Sequence, residues 1–245
     1  MTRTVIVGCG YVGLELGRQL DAAGHEVTGV RRSDAGLDAV ADAGLDAVRA
    51  DATDADSLAA LPDADWVVFA ASSGGRGADA ARDVYVEGLR NVVAAYAERS
   101  SPPDRLVYTS STGVYGDHGG DWVDEETPLD PTTSKTEVLV EAEETALAAP
   151  FDATVARFAG LYGPGRYRLE RYLQGPVTEG YLNMVHRDDA AGAVAHLLEG
   201  DRARGEPVLV VDDEPVSKWS FADWLADECG RERPPKQTAA ERLAA

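Results

Sequence analysis

Thr4-Val5-Ile6-Val7-Gly8-Cys9-Gly10-Tyr11-Val12-Gly13 decides the fold. Four β-branched residues, three of them apolar, read as a buried strand, and a G-x-G-x-x-G turn follows at once. Downstream, Val12, Leu16 and Leu20 recur at four-residue spacing, with Gly24 placed to end a helix. The next β-branched run, Glu26–Val30, makes the unit strand, glycine turn, helix, strand. In that unit the first glycine allows the tight turn, the second lets a pyrophosphate approach the backbone, and the third packs helix on strand. The phosphate charge then rests on the helix N-terminus. The turn therefore predicts a dinucleotide held by Gly8, Gly10, Tyr11, Val12 and Gly13.

The alternation continues. Strands are expected at Ala47–Arg49, Trp66–Ala70, Arg105–Thr109, Ala153–Arg157 and Pro207–Val211, separated by Ala-rich helical stretches. Strands joined through helices require right-handed crossovers and a mostly parallel sheet covered on both faces. The expected architecture is a doubly wound, Rossmann-type α/β fold. Residues 1–158 form its dinucleotide-binding part, and 159–245 a small substrate-binding portion completing the same globular unit. Arg231 to Ala245 reads as a frayed tail or a short docking helix.

Arg31-Arg32 stands at the end of the second strand, where an acidic residue would select NAD through the ribose 2′-hydroxyl. Arginines there suit a 2′-phosphate and point to NADP. NAD is the alternative, with Asp34 as a nearby hydroxyl acceptor. Asp51 and Ala52 follow the third strand, where Asp51 could accept from the adenine amino group. Ala70, Ala71 and Ser72 follow the fourth, their small side chains letting a ribose approach the backbone.

The chain carries 23 Lys+Arg against 43 Asp+Glu over 245 residues, a net charge of −20, and only three of the cations are lysines. Such a surface repels nucleic acid and anionic membrane. It also repels itself unless salt shortens the range to about 3 Å at 1 M, which suggests a halophilic origin. Two distant cysteines, Cys9 and Cys229, make neither a disulfide framework nor a zinc site, so no metal is expected. No signal peptide or long apolar run is seen, and a cytoplasmic location is expected.

Six segments resemble the extended and atypical branch of the short-chain dehydrogenase/reductase superfamily, the NAD-dependent epimerase/dehydratase-like family. They are Gly8–Gly13, Asp51, Tyr85–Val92, Val107–Gly116, Arg157–Arg166 and Val185–Ala190. The resemblance implies catalysis by a Ser after the fifth strand and a Tyr-x-x-x-Lys pair on the following helix. Ser111 falls at the Ser position. The pair is absent: one register puts Thr133 and Glu137 at its positions, the other Pro131 and Lys135. Tyr115, four residues beyond Ser111, is the first candidate to replace the missing acid, and His186 the next. Ser134-Lys135-Thr136-Glu137 has the form of a capping box with Ser134 as N-cap. Lys135 then sits in the first helical turn, as a tether for a phosphate or simply in solvent.

From Arg157 to Arg187 five arginines face two acids, a local charge of +3, among four tyrosines. Arginine forks and tyrosine rings recognise anionic, sugar-like groups, and Tyr162, Arg166, Arg168 and His186 are the expected substrate contacts. The acidic run Asp117–Asp130 reads as a solvated loop or a lid. The functional expectation is an NAD(P)-dependent oxidoreductase or epimerase-like enzyme acting on a small anionic metabolite, nucleotide-sugar-like in character. The other reading is a non-catalytic NADP-binding sensor that lost the Tyr/Lys pair. Family resemblance further implies a homodimer through the Arg82–Tyr96 and Lys135–Ala148 helices.

Overall fold

The computed structural model describes residues 1–74, 77–167 and 169–244. Its elements run β1 (Arg3–Val7), α1 (Tyr11–Ala22), β2 (Glu26–Arg31), α2 (Asp34–Asp42), β3 (Asp46–Arg49), β4 (Trp66–Phe69), α3 (Ala78–Arg82), α4 (Gly88–Ala97), β5 (Arg105–Ser111), α5 (Ser134–Leu147) and β6 (Asp152–Phe158). The C-terminal part adds β7 (Gly160–Tyr162), β8 (Val177–Thr178), β9 (Tyr181–Leu182), β10 (Met184–His186), α6 (Arg187–Glu199), β11 (Pro207–Val210), β12 (Val216–Ser217), α7 (Lys218–Glu228), β13 (Lys236–Gln237) and α8 (Ala239–Ala244).

Seven strands form one parallel sheet in the order β11-β6-β5-β4-β1-β2-β3. The order reverses between β1 and β4, and at such a switch point the crevice beyond the strands' carboxyl ends takes a ligand. Strand alternation sets the two cores. Val5 and Val7 of β1 join Phe69, Leu89, Tyr96 and Leu106 on the face covered by α4 and α5. Ile6 points the other way, with Leu16 and Leu20 of α1, Val107 of β5 and Val194 of α6. All seven sheet strands lie within two residues of their expected places, because each is an apolar run bounded by polar or glycine positions.

Residues beyond Phe158 are not a separate layer: β11 extends the main sheet and α6 packs on α1. Three two-stranded ladders, β10 with β7, β12 with β9 and β13 with β8, are additions the sequence did not signal. Strands of two or three residues carry no readable alternation. The C-terminal segment docks through β13 against β8, and the Ala239 amide donates to Glu179 at 2.8 Å.

The α5 cap differs from expectation by one residue. Thr133 is the N-cap, and its hydroxyl accepts from the Thr136 amide while the Thr136 hydroxyl accepts from the Thr133 amide, at 3.2 and 3.0 Å. Threonine at the third position supplies the reciprocal acceptor that Glu137 was expected to give. The acidic run is tied down: Asp130 N–H donates to the Val114 carbonyl, and the Glu125 carboxylate accepts from the Leu209 amide at the sheet's β11 edge.

Candidate functional site

A cavity of about 1150 Å³ lies at the switch point, lined by the carboxyl ends of β1, β2, β5 and β6, the segment after β4 and the start of β7. Its floor is the glycine turn. Gly8 has φ +81°, and a Cβ there would stand 2.3 Å from the Ala71 Cα, so the β4 continuation crosses in backbone contact with the turn. Only glycine fits on both counts. Gly10 caps α1 with no side-chain acceptor, leaving first-turn N–H groups open to the cavity. The Arg31 guanidinium lies against Gly10, 2.8 Å from where a Cβ would be. Open helix donors beside an arginine fit a pyrophosphate, and the cradle accepts a dinucleotide. Cys9 points into the core, where burial pushes its thiol up to about 12 and makes it inert.

Every expected dinucleotide contact except Gly13 borders the cavity: Gly8, Gly10, Tyr11, Val12, Arg31, Arg32, Asp51, Ala52, Ala70, Ala71 and Ser72. Gly13 instead packs against Ile6 on the core side of α1. At the ribose end Arg32 reaches Asp51 at 3.4 Å, and Asp51 also accepts from the Thr53 amide and hydroxyl. Burial pushes the Asp51 carboxyl up, but these donors outweigh it and hold it below the ordinary range.

Ser111 lies on the cavity wall, and its hydroxyl accepts from the Gly113 amide at 3.2 Å. Tyr115 does not reach it. The ring is 2% exposed, and Arg157 donates to its hydroxyl at 2.6 Å. Arg157 in turn grips Glu143, which also accepts from Ser110 at 2.6 Å. Burial pushes the Tyr115 phenol up, only partly offset by Arg157. Tyr115 is thus corrected from a candidate acid to a member of a closed structural cluster, because a proton donor must reach the substrate.

The substrate residues divide. Arg166 faces the cavity and stacks on the Tyr11 ring at 4.2 Å, beside Tyr167 and Arg171. His186 caps α6, its Nδ1 accepting from the Asp188 amide at 3.3 Å, and packs edge-on against Tyr162 at 5.2 Å. Burial and the nearby Asp212 carboxylate push the Tyr162 phenol up. Neither Tyr162 nor His186 lines the cavity; the two pack together where β7 and β10 meet the start of α6. Arg168 lies outside the described residues. The +3 island is also less free than its count, since Arg157 is spent on Glu143 and Arg187 on Asp188 and Glu15.

Sequence reasoning missed Tyr85. The segment Asp83–Glu87 between α3 and α4 is a π-helical turn, a conformation concentrated at functional sites. It packs against α5 and brings Tyr85 to the cavity beside Ser72, Thr109 and Lys135. No periodicity announces a π turn; the only trace is a tyrosine within an otherwise regular amphipathic stripe.

A family model described as NAD(P)H-binding matches residues 8–201. Protein YeeZ of Escherichia coli K12 is 34% identical over 211 residues, covering 82% of this chain and 75% of that protein. A solved structure assigned as an NAD-dependent epimerase/dehydratase from Methylobacillus flagellatus superposes with a TM-score of 0.79 at 34% identity, covering 99% of this chain and 90% of that one. The 3 beta-hydroxysteroid dehydrogenase/Delta 5-->4-isomerase of Mycobacterium tuberculosis is 28% identical over 261 residues, covering 93% of this chain and 69% of that enzyme. With the glycine cradle, the sheet order and the matched span in agreement, the chain belongs to the NAD(P)H-binding, epimerase/dehydratase-like family of short-chain dehydrogenase/reductase proteins.

Proposed function

We propose that the protein is an NADP-dependent oxidoreductase or epimerase-like enzyme acting at a carbonyl or hydroxyl carbon of a small anionic metabolite. One observation carries this reading. Among the described residues Arg31, Lys135, Arg166 and Arg171 form no salt bridge, although the chain has 43 acids, and all four line the one cavity. Most arginines elsewhere are paired with carboxylates. Unpaired cations in a concave site are held for an anionic ligand.

Arg31 and Arg32, with the Ser33 hydroxyl at the start of α2, would hold the 2′-phosphate. The α1 N-terminus would hold the pyrophosphate, and Arg166, Tyr167 and Arg171 the substrate anion. A bound nicotinamide supplies two-electron exchange at an alcohol or carbonyl carbon. The relative assigned as an NAD-dependent epimerase/dehydratase supports chemistry at a hydroxyl or carbonyl carbon, and the arginine and tyrosine lining supports a phosphate or carboxylate on the substrate.

The test is mass spectrometry of the ligand retained by purified protein, followed by dissociation constants for NADPH and NADH and a screen of keto-substrates. NADPH is expected to bind more tightly, and Arg166→Glu to weaken substrate more than cofactor. Binding of neither dinucleotide overturns the reading. Tight binding with no turnover on any substrate favours the sensor.

A further inference from the structure

The helix that should carry a Tyr-x-x-x-Lys pair has no tyrosine, yet the cavity holds both residue types, brought from different elements. Tyr85 comes from the π turn Asp83–Glu87 and Lys135 from the first turn of α5, and the two elements pack together. Both line the cavity with Ser72, Thr109 and Ser111 at the ends of β4 and β5.

Around Tyr85 the partners are donors. The Ser73 amide and hydroxyl lie 3.4 and 3.5 Å from Oη, and the Ser72 hydroxyl is near enough to favour its ionised form as well. Donors on a phenol oxygen favour its ionised form. Lys135 is near enough for its charge to act on the ring oxygen. A cation in the first turn of a helix is disfavoured by the helix dipole. Lys135 also forms no ion pair among the described residues, so it has no structural partner there to account for its position.

We propose that Tyr85 and Lys135 are the proton-exchange pair of this site: Tyr85 Oη gives or takes the proton at the substrate oxygen, Lys135 is its neighbouring cation, and the Ser111 hydroxyl orients that oxygen. The inference rests on the oxidoreductase reading above and names its acid. In the oxidising direction the substrate O–H bond breaks and an O–H bond forms on the Tyr85 phenolate, while the electron pair of the substrate C–H bond is taken up by the oxidised dinucleotide. In the reducing direction the phenol proton closes the new hydroxyl and water restores the phenol. Burial pushes the Tyr85 phenol up, but the Ser73 and Ser72 donors and the Lys135 charge outweigh it, leaving the group below the ordinary tyrosine value. That suits a residue exchanging protons closer to neutral pH.

The primary test needs no substrate. Ultraviolet difference titration of the ligand-free protein should show one of the nine tyrosines ionising below the ordinary value of about 10. Tyr85→Phe should abolish that step, and Lys135→Met should move it to higher pH. With a substrate in hand, Tyr85→Phe should lower turnover by about 10²–10⁴-fold while NADPH affinity stays within about threefold, a change of under ~1 kcal/mol. Circular dichroism melts verify that both variants fold. Loss of the titration step together with loss of turnover supports the pair. A titration unchanged by Tyr85→Phe, or a folded variant with full turnover, overturns it. Failure of the wild type to bind any dinucleotide instead overturns the oxidoreductase reading, and the titration separates the two failures.

Discussion

Two tyrosine clusters flank β5, and they differ in one physical respect. Tyr115 bonds Arg157, which grips Glu143 and through it Ser110; Tyr85 has Ser73 and Ser72 donors and the charge of Lys135 near it. Each joins a phenol, a cation and serine hydroxyls. In the first the cation is balanced by a buried carboxylate, and the phenol itself is 2% exposed and does not border the cavity. In the second no carboxylate among the described residues pairs with Lys135, and the phenol borders the cavity. The closed cluster joins α5, β6 and the turn after β5. The open one leaves a phenol and an uncompensated charge facing the cavity. The difference teaches that a residue trio says little about chemistry until the acid that does or does not neutralise it is located.

The comparison breaks most visibly at Glu143. Glu143→Ala leaves Arg157 buried without its partner and should cost about 3–5 kcal/mol in denaturant unfolding; a loss below ~1 kcal/mol would mean the cluster is not structural. The open cluster predicts a pH effect instead. The oxidising rate should rise with pH as Tyr85 deprotonates, the limb lying below about 10 because the phenol is held down. Lys135→Met should shift that limb upward, and an unmoved limb would separate Lys135 from the proton.

Next in size is the cofactor end. Removing Arg31 and Arg32 together deletes the charged donors to a 2′-phosphate and should weaken NADPH by about 10- to 100-fold more than NADH, which loses only the Arg31 beside its pyrophosphate. Equal losses for both would place the arginines elsewhere. Tyr115→Phe should cost about 1–3 kcal/mol of stability, for the unmet Arg157 donor, while turnover stays at the wild-type level. A large drop in turnover would return Tyr115 to the mechanism. The smallest effect concerns the surface. With a net charge of −20, the melting midpoint should climb between dilute buffer and molar KCl, about 2–4 °C for each kcal/mol of repulsion screened. A flat response would remove the case for salt adaptation.

The glycine turn, seven strands and their helices were legible because each depends on local signals: apolar runs, four-residue spacing, and the φ and close-approach demands at Gly8. Dinucleotide contacts followed, since they sit at fixed offsets from strand ends. Roles at the reacting end were not legible. Tyr115 and Tyr85 look alike as letters, and proximity to Ser111 in sequence favoured the one that packing buries. Arg157 counted toward a positive island until packing spent it on Glu143. What the sequence alone determined is the sheet and the cradle, because backbone geometry there is set by neighbours a few residues away. What only the tertiary structure decided is which tyrosine faces the cavity and which cations stay unpaired, because both depend on burial and on carboxylates distant in the chain.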